Sequence, residues 1–211
     1  MGGHNNLRYA LIGLAPYLLH YDHSKTPDNQ SKLLQYFIAF DDLHNFYIPT
    51  EDYRKCFRKE YLLARLPINQ FDLNNPFNVK TPLRFITAEN RLKARERIDT
   101  WGERYFPETR AENIKILDDY LTLCEDNNIR PIMFMPPMTY GYKKYFNKQR
   151  IDELYYFIQE ALKKHSSAVF VDAWKLQGLT DADFYDVDHL NIMGAAKFSM
   201  FLNDFIERLD K

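Results

Sequence analysis

The sequence predicts an α/β fold in three α/β/α layers, a parallel sheet sandwiched by helices. Short, almost wholly apolar runs at 130–135 and 168–172 alternate with long amphipathic stretches in the C-terminal half. Apolar runs of that length fit strands buried on both faces, and their alternation with helices fits parallel strands joined by crossovers. A chain of 211 residues can bury one sizeable core, so a single domain over 1–211 is the expectation.

The elements follow in order. Leu7 to Ala15 is a short apolar run closed by Pro16, which reads as a buried strand. A polar and aromatic loop, Tyr17 to Ser24, comes next. Residues 29–47 carry helical periodicity through Leu33, Leu34, Phe37, Ile38 and Phe40. A second helix is expected over 51–65, with Thr50 as N-cap and Tyr53, Phe57, Tyr61 and Leu62 on its apolar side. Residues 67–108 lack a clear period, hold Pro67, Pro76, Pro82 and Pro107, and include a charged stretch from Glu89 to Arg97. They read as an irregular excursion with one short helix near 89–98. So long a segment is expected to shape a site or an interface. Helix 110–127, strand 130–135, helix 149–165, strand 168–172 and helix 193–209 complete the pattern. In such sheets functional groups gather at the carboxyl ends of the strands. Pro16-Tyr17, Pro136-Pro137-Met138 and the loop through Asp186 and His189 all fall there.

Composition narrows the function classes. Net charge is −1, from 28 basic and 29 acidic residues, so no basic footprint of a nucleic-acid binder is visible. No run of 18 apolar residues occurs, and a membrane span is not expected. The polar start Met1 to Asn6 carries no secretory signal. Cys56 and Cys124 are far apart in predicted helices, which fits free thiols in a reducing compartment and hence a cytoplasmic protein. The seven glycines are scattered and form no phosphate-binding loop, and no cofactor is called for. The 16 Phe and 15 Tyr supply core at helical spacing. They also supply faces of the kind that line carbohydrate sites.

Chemistry is spelled out at one place, Phe184-Tyr185-Asp186-Val187-Asp188-His189-Leu190-Asn191. Asp186 and His189 stand three residues apart in a polar turn before the last helix. A carboxylate so placed fixes the imidazole tautomer and makes it a usable general base. The same residues also suit a plain helix start, with Asp186 or Asp188 as cap and His189 merely polar. Both readings stand on spacing alone.

Asp-x-x-His-Leu-Asn, then Gly194 and Lys197-Phe198, resembles the closing block of the SGNH (GDSL-type) hydrolases. The resemblance implies a flavodoxin-like sheet, ester hydrolysis or acyl transfer on a glycan or other hydroxylated substrate, His189 as general base and Asp186 as its partner. It covers nearly the whole chain but only the C-terminal three-fifths of such a domain. The family's opening strand ends in Gly-Asp-Ser, and none of the five serines here, Ser24, Ser31, Ser166, Ser167 and Ser199, has that setting. The strand at 7–15 resembles the family's third strand, with Gly13 matched and the oxyanion-binding Asn replaced. Two explanations compete: a chain cut before its third strand, or a complete protein that has lost the nucleophile. In either case the chain alone is expected to be inactive.

Tyr17, His20, Tyr140 and Asn191 are the candidate substrate contacts, Asn191 also serving as a helix cap or brace. Tyr142 and Tyr145 could line the same cleft. A metal held by His20, Asp22, His23 and His189 is possible in ligand type, but the assignment is no metal. Ser24 is the fallback nucleophile, and Asp172 a structural hydrogen-bonding group. The expected partners are a carbohydrate or acylated small molecule and, through the open edge of the 7–15 strand, a second copy of the chain. A non-catalytic binding or assembly module with the same fold is the alternative.

Overall fold

The most buried of the described strands, Arg130–Met135 (β2), is the middle strand of a three-stranded parallel sheet. Tyr9–Gly13 (β1) pairs with it from Tyr9 opposite Arg130 to Gly13 opposite Phe134. Val169–Asp172 (β3) pairs on the other side, Ile132 opposite Val169 through Met135 opposite Asp172. The structure, a computed structural model, describes residues 7–22, 25, 84–103 and 105–210, with 100–103 and 175 by backbone alone. The helices expected over 29–47 and 51–65, and part of the 67–108 excursion, lie outside the described residues. By its contacts the chain divides into two compact units, Met1–His20 with Thr81–Lys211, and Tyr21–Lys80. The sheet and all helices below belong to the first. In the second, Asp22 and Lys25 form an ion pair at 3.8 Å.

Period-two alternation sorts the side chains of β2 between two apolar layers. Met133 and Met135 join Leu14, Leu117, Leu121, Leu154 and Ile158 in one cluster. Phe134 faces the other way, onto Phe198 and Leu202. The first layer is supplied by Arg110–Asp126 (α3) and Lys148–Lys164 (α5), the two crossover helices. They share a face because both crossovers step the same way across the sheet, and crossovers of one hand then fall on one side. The second layer comes from Ile192–Leu209 (α6). The observed fold is thus mixed α/β with a parallel sheet, as expected. No described helix is long and apolar enough to cross a membrane.

The 84–108 part of the excursion holds two short helices, Ala88–Leu92 (α1) and Ala94–Glu103 (α2), where one was expected. Thr87 caps α1, accepting from the Asn90 N–H at 3.1 Å. A one-turn helix, Tyr140–Lys143 (α4), follows β2.

Helix ends are set by local chemistry. α3 stops where Asn128 takes φ 56°, a left-handed value that Asn tolerates better than most residues. The N–H of Ile129 then donates to the Cys124 carbonyl and that of Asn128 to Glu125, a Schellman closure. α5 ends at His165, which is buried and donates from Nδ1 to Glu125 and from Nε2 to Asp118, each at 2.9 Å. Both carboxylates belong to α3, so one imidazolium ties the two crossover helices together. Burial alone would lower the His165 pKa, but the two acceptors outweigh it and raise it.

Two expected outcomes follow from these packings. His165→Leu leaves Asp118 and Glu125 without that partner. It should lower stability by about 2–3 kcal/mol in urea titration at pH 6, the range for hydrogen bonds to charged groups. Because the folded pKa is raised, the contribution is complete below about 6.5 and is lost as pH rises through the folded value. The gap between wild type and variant should therefore narrow at alkaline pH. Gly194 is fixed by space: a Cβ there would lie 2.0 Å from the Asp183 carbonyl oxygen. Gly194→Ala must push the start of α6 off the 183–191 loop, at a cost of about 1–3 kcal/mol or more, read as a lower urea midpoint.

Candidate functional site

The loop between Phe184 and Leu190 is pinned from several sides before its charged groups come into play. Phe184 and Leu190 form an antiparallel bridge, and the Tyr185 N–H donates to the His189 carbonyl at 2.9 Å. The Ile86 N–H donates to Phe184 at 3.0 Å, and the Thr139 hydroxyl to the Val187 carbonyl at 2.8 Å. Thr139 stands four residues beyond the end of β2, so the loop sits by the carboxyl end of that strand. Val187 is buried in an apolar cluster with Ala94, Met138 and Tyr142. Burying a valine contributes roughly 1.5–3 kcal/mol, whereas the attraction between the loop's largely buried carboxylates and their cations is offset by the cost of taking them out of water. The apolar anchor therefore places the loop, and the charges adjust within it.

With Val187 turned inward, Asp186 and Asp188 flank it. Asp186 Oδ1 accepts from the backbone N–H of Asp188 at 3.1 Å and of His189 at 2.8 Å. The carboxylate thus caps its own turn, while α6 takes its cap from Asn191 and not from either aspartate. His189 Nδ1 lies 2.9 and 3.0 Å from the two Asp186 oxygens, and 3.2 Å from Asp188 Oδ1. These three carboxylate oxygens stand closer to Nδ1 than the Arg97 guanidinium does, at 3.5 Å, so the nitrogen carries its proton there. That leaves Nε2 as the nitrogen that exchanges protons, on a side chain that is 60% exposed.

Arg97 completes the cluster from α2. Ala94, Arg97 and Ile98 share one helix face by their spacing. Packing of Ala94 and Ile98 beside Val187 therefore aims the guanidinium at the loop. Nη1 is 3.1 Å from Asp186 Oδ2 and Nη2 is 3.0 Å from Asp188 Oδ1. Beneath them the Tyr142 hydroxyl is buried with no well-formed hydrogen bond. Burial first, then the Asp188 charge, push its pKa far up, with Tyr17 contributing.

The charges set one another. Burial by itself raises the Asp186 carboxyl, but hydrogen bonds from His189 and Asp188 outweigh it and hold it far below the usual range. Hydrogen bonds to Asp186 and then Asp188 raise the His189 imidazole to about 10. At neutral pH the ring rests as an imidazolium. Asp186, Asp188 and His189 bring three donor atoms within 4.8 Å of one another. The Arg97 guanidinium already supplies their cation, and we assign no metal to the group. Two small cavities open beside Val187. One, of about 250 Å³, is lined by Asn90, Lys93, Glu96, Arg97 and Asp186. The other, of about 230 Å³, includes Arg91, Thr139, Lys144 and Tyr145.

The other sequence-derived candidates fall in different places. Asn191 is buried and fully engaged: Oδ1 accepts from Met193 and Gly194 at 3.0 Å, and Nδ2 donates to Ala182 at 2.7 Å. It caps α6 and braces the preceding loop, as the cap-or-brace expectation has it. His20 is buried in a separate cluster, with Nε2 2.8 Å from Glu153 Oε2 and its ring against Tyr105. Glu153 also binds Arg110, so His20 braces the end of its turn against α5 through Nε2, while its Nδ1 is buried without a hydrogen-bond partner. Tyr17 is half-buried near Tyr142. Tyr140 is 82% exposed and lines neither cavity. Asp172 accepts from the Tyr155 hydroxyl at 3.0 Å through both oxygens, a structural role. His23 and Ser24 lie outside the described residues. Arg97 was not singled out by the sequence; the charged run from Glu89 to Arg97 was the signal, with nothing in it to mark one cation among several.

No family model matches the chain, and neither a curated protein nor a solved structure matches it.

The geometry makes a titration prediction. Asp186→Asn keeps an oxygen for the two backbone N–H groups but removes the charge, so the loop should stay folded. The His189 pKa should then fall by about 1–2 units, the effect of losing one close opposite charge, as read by NMR of the ring nitrogens. The pair also gives the loop a pH window. The depressed Asp186 contributes above about 3.8 and loses its contribution as pH falls through its folded value. The raised His189 contributes fully below about 6.5 and loses it as pH rises through about 10.

Proposed function

We propose that the chain carries the base-bearing part of an SGNH-type ester hydrolase or O-acyltransferase acting on a glycan or other hydroxylated substrate, on a flavodoxin-like three-layer fold. The observation that supports this is the Asp186–His189 contact, with Nδ1 on the carboxylate and Nε2 outward beside the end of β2. In an acyl transfer Nε2 would take the proton of an attacking hydroxyl and return it to the leaving group, while Asp186 stabilises the imidazolium between the two steps. Cavities of the observed size admit a short acyl group or one sugar edge. Among the described residues no serine sits beside Nε2 in a hydrogen bond, and in this reading the nucleophile comes from a segment upstream of β1. Pairing of two copies along the edge of β1 that no described strand covers, where Leu7 and Leu11 are half exposed, and a cytoplasmic location, resting on the unpaired buried Cys124, belong to the same reading.

A second reading has its own support. A general base works best with a pKa near the working pH, and His189 at about 10 rests protonated. A locked ion-pair cluster suits a non-catalytic binding or assembly module with the same fold.

Activity with and without an upstream segment separates the two. The chain as given should show no turnover of p-nitrophenyl acetate above background, since loss of a serine nucleophile costs about 10⁶-fold in kcat in a well-studied serine protease. The coding sequence directly before Met1 should supply a strand ending in Gly-x-Ser. The chain that includes it should hydrolyse the ester, and His189→Gln should abolish this. An extended chain that stays inactive, or an upstream sequence without such a strand, favours the binding module. Turnover by the present chain that disappears in Ser24→Ala would make Ser24 the nucleophile.

A further inference from the structure

Two aspartates and one imidazolium leave a net negative charge, and α2 delivers a further cation, Arg97. Asp188 is the group that needs it. Its side chain is only 7% exposed, and unlike Asp186 it caps no turn. An unpaired carboxylate in that position is costly, so its charge must fall on whatever cation is near. The candidates are His189 Nδ1 at 3.2 Å and Arg97 Nη2 at 3.0 Å. Arg97 also reaches Asp186 at 3.1 Å, on the oxygen that His189 Nδ1 approaches to 3.0 Å. The guanidinium and the imidazole therefore compete for the same two carboxylates, and their nearest nitrogens stand 3.5 Å apart.

We propose that Arg97 is a positioning residue that keeps His189 releasable: by bridging Asp186 and Asp188 it takes up carboxylate charge that would otherwise bind the imidazolium. Without it, both carboxylates would have one close cation and the ring would hold its Nε2 proton more tightly. With it, the ring is oriented through Nδ1 while the hold on its charge is shared. The Asp186–His189 geometry does not itself need Arg97, because Asp186 is held by two backbone N–H groups of its own loop. The groups facing His189 are Asp186, Asp188 and the Tyr185 ring on its own loop, and Arg97 on α2. Tyr142 on α4 faces Asp188 and Arg97 from below. Arg97 carries no titration of its own across the working range, so it acts as a constant field. This inference rests on the reading of Asp186 and His189 as a catalytic pair, and it assigns the charged helix α2 a part in that site.

The test is NMR titration of the His189 ring nitrogens in wild type, Arg97→Met and Arg97→Lys. The expected result is an upward shift of the His189 pKa by about half a unit or more in Arg97→Met, a change of the sign and size produced by losing a nearby like charge. Arg97→Lys, which keeps the charge, should return it toward wild type. Should the Met variant fail to fold, Arg97→Gln keeps an amide donor for the carboxylates without the charge and carries the same prediction. A raised wild-type pKa that stays put or falls in the uncharged variants would overturn the role of Arg97 and leave the Asp186–His189 pair intact. An ordinary wild-type pKa near 6.5 would overturn the pair itself, and the inference with it.

Discussion

An apolar side chain set among charged neighbours has to choose a direction, and Val187 points inward. Its burial with Ala94, Met138 and Tyr142 fixes the register of the 184–190 loop, since the residues on either side must then diverge from it. Asp186 and Asp188 are thereby drawn partly out of water on the same side of the chain. Everything else in the site answers that displacement. Backbone N–H groups satisfy one oxygen of Asp186, His189 folds back over its own turn, and α2 brings Arg97. The bridge between Phe184 and Leu190 closes the loop, and Asn191 turns the chain into α6 directly after it.

Two carboxylates and two cations make a neutral group only when the imidazole is protonated. That balance explains why His189 rests as a cation and why its basicity depends on how the carboxylates divide themselves. A site of this kind is oriented but not poised. Poise requires a further change near the carboxylates, such as a stronger engagement of Arg97 or a hydroxyl arriving at Nε2. The same logic in a different setting holds α3 to α5 through His165, where both ring nitrogens are committed and nothing is left to exchange. Comparison of the two histidines shows what separates support from chemistry: His165 is buried with two bonds, whereas His189 keeps one nitrogen in the open.

Much of the fold was legible because its signals are local. The apolar run at 130–135 coincides with β2, the helix expected over 110–127 is α3 to within a residue, and the last helix begins one residue from where its period begins. The approach of Asp186 to His189 was legible for the same reason, as three residues in a turn have few alternatives. What could not be read were partners far apart in the chain. His20 follows a strand and looked like an edge residue, but its place is decided by Glu153 on α5, 133 positions away. Arg97 lies in a stretch with weak periodicity and several cations, and only the packing of Ala94 and Ile98 selects it. Asp186 and Asp188 both looked able to cap the last helix. Asn191 does so because the bridge at Leu190 ends the loop one residue before it.

The central claim is that α2 and the 184–190 loop are coupled through Arg97 and Asp186. A double-mutant cycle of Arg97→Met and Asp186→Asn, followed by urea unfolding at pH 6, measures that coupling directly. The account predicts an interaction energy of about 1 kcal/mol or more, in the range for residues sharing one ion-pair network. Strictly additive losses, within about 0.3 kcal/mol, would contradict it, and would mean that the loop holds its carboxylates and its histidine without help from α2.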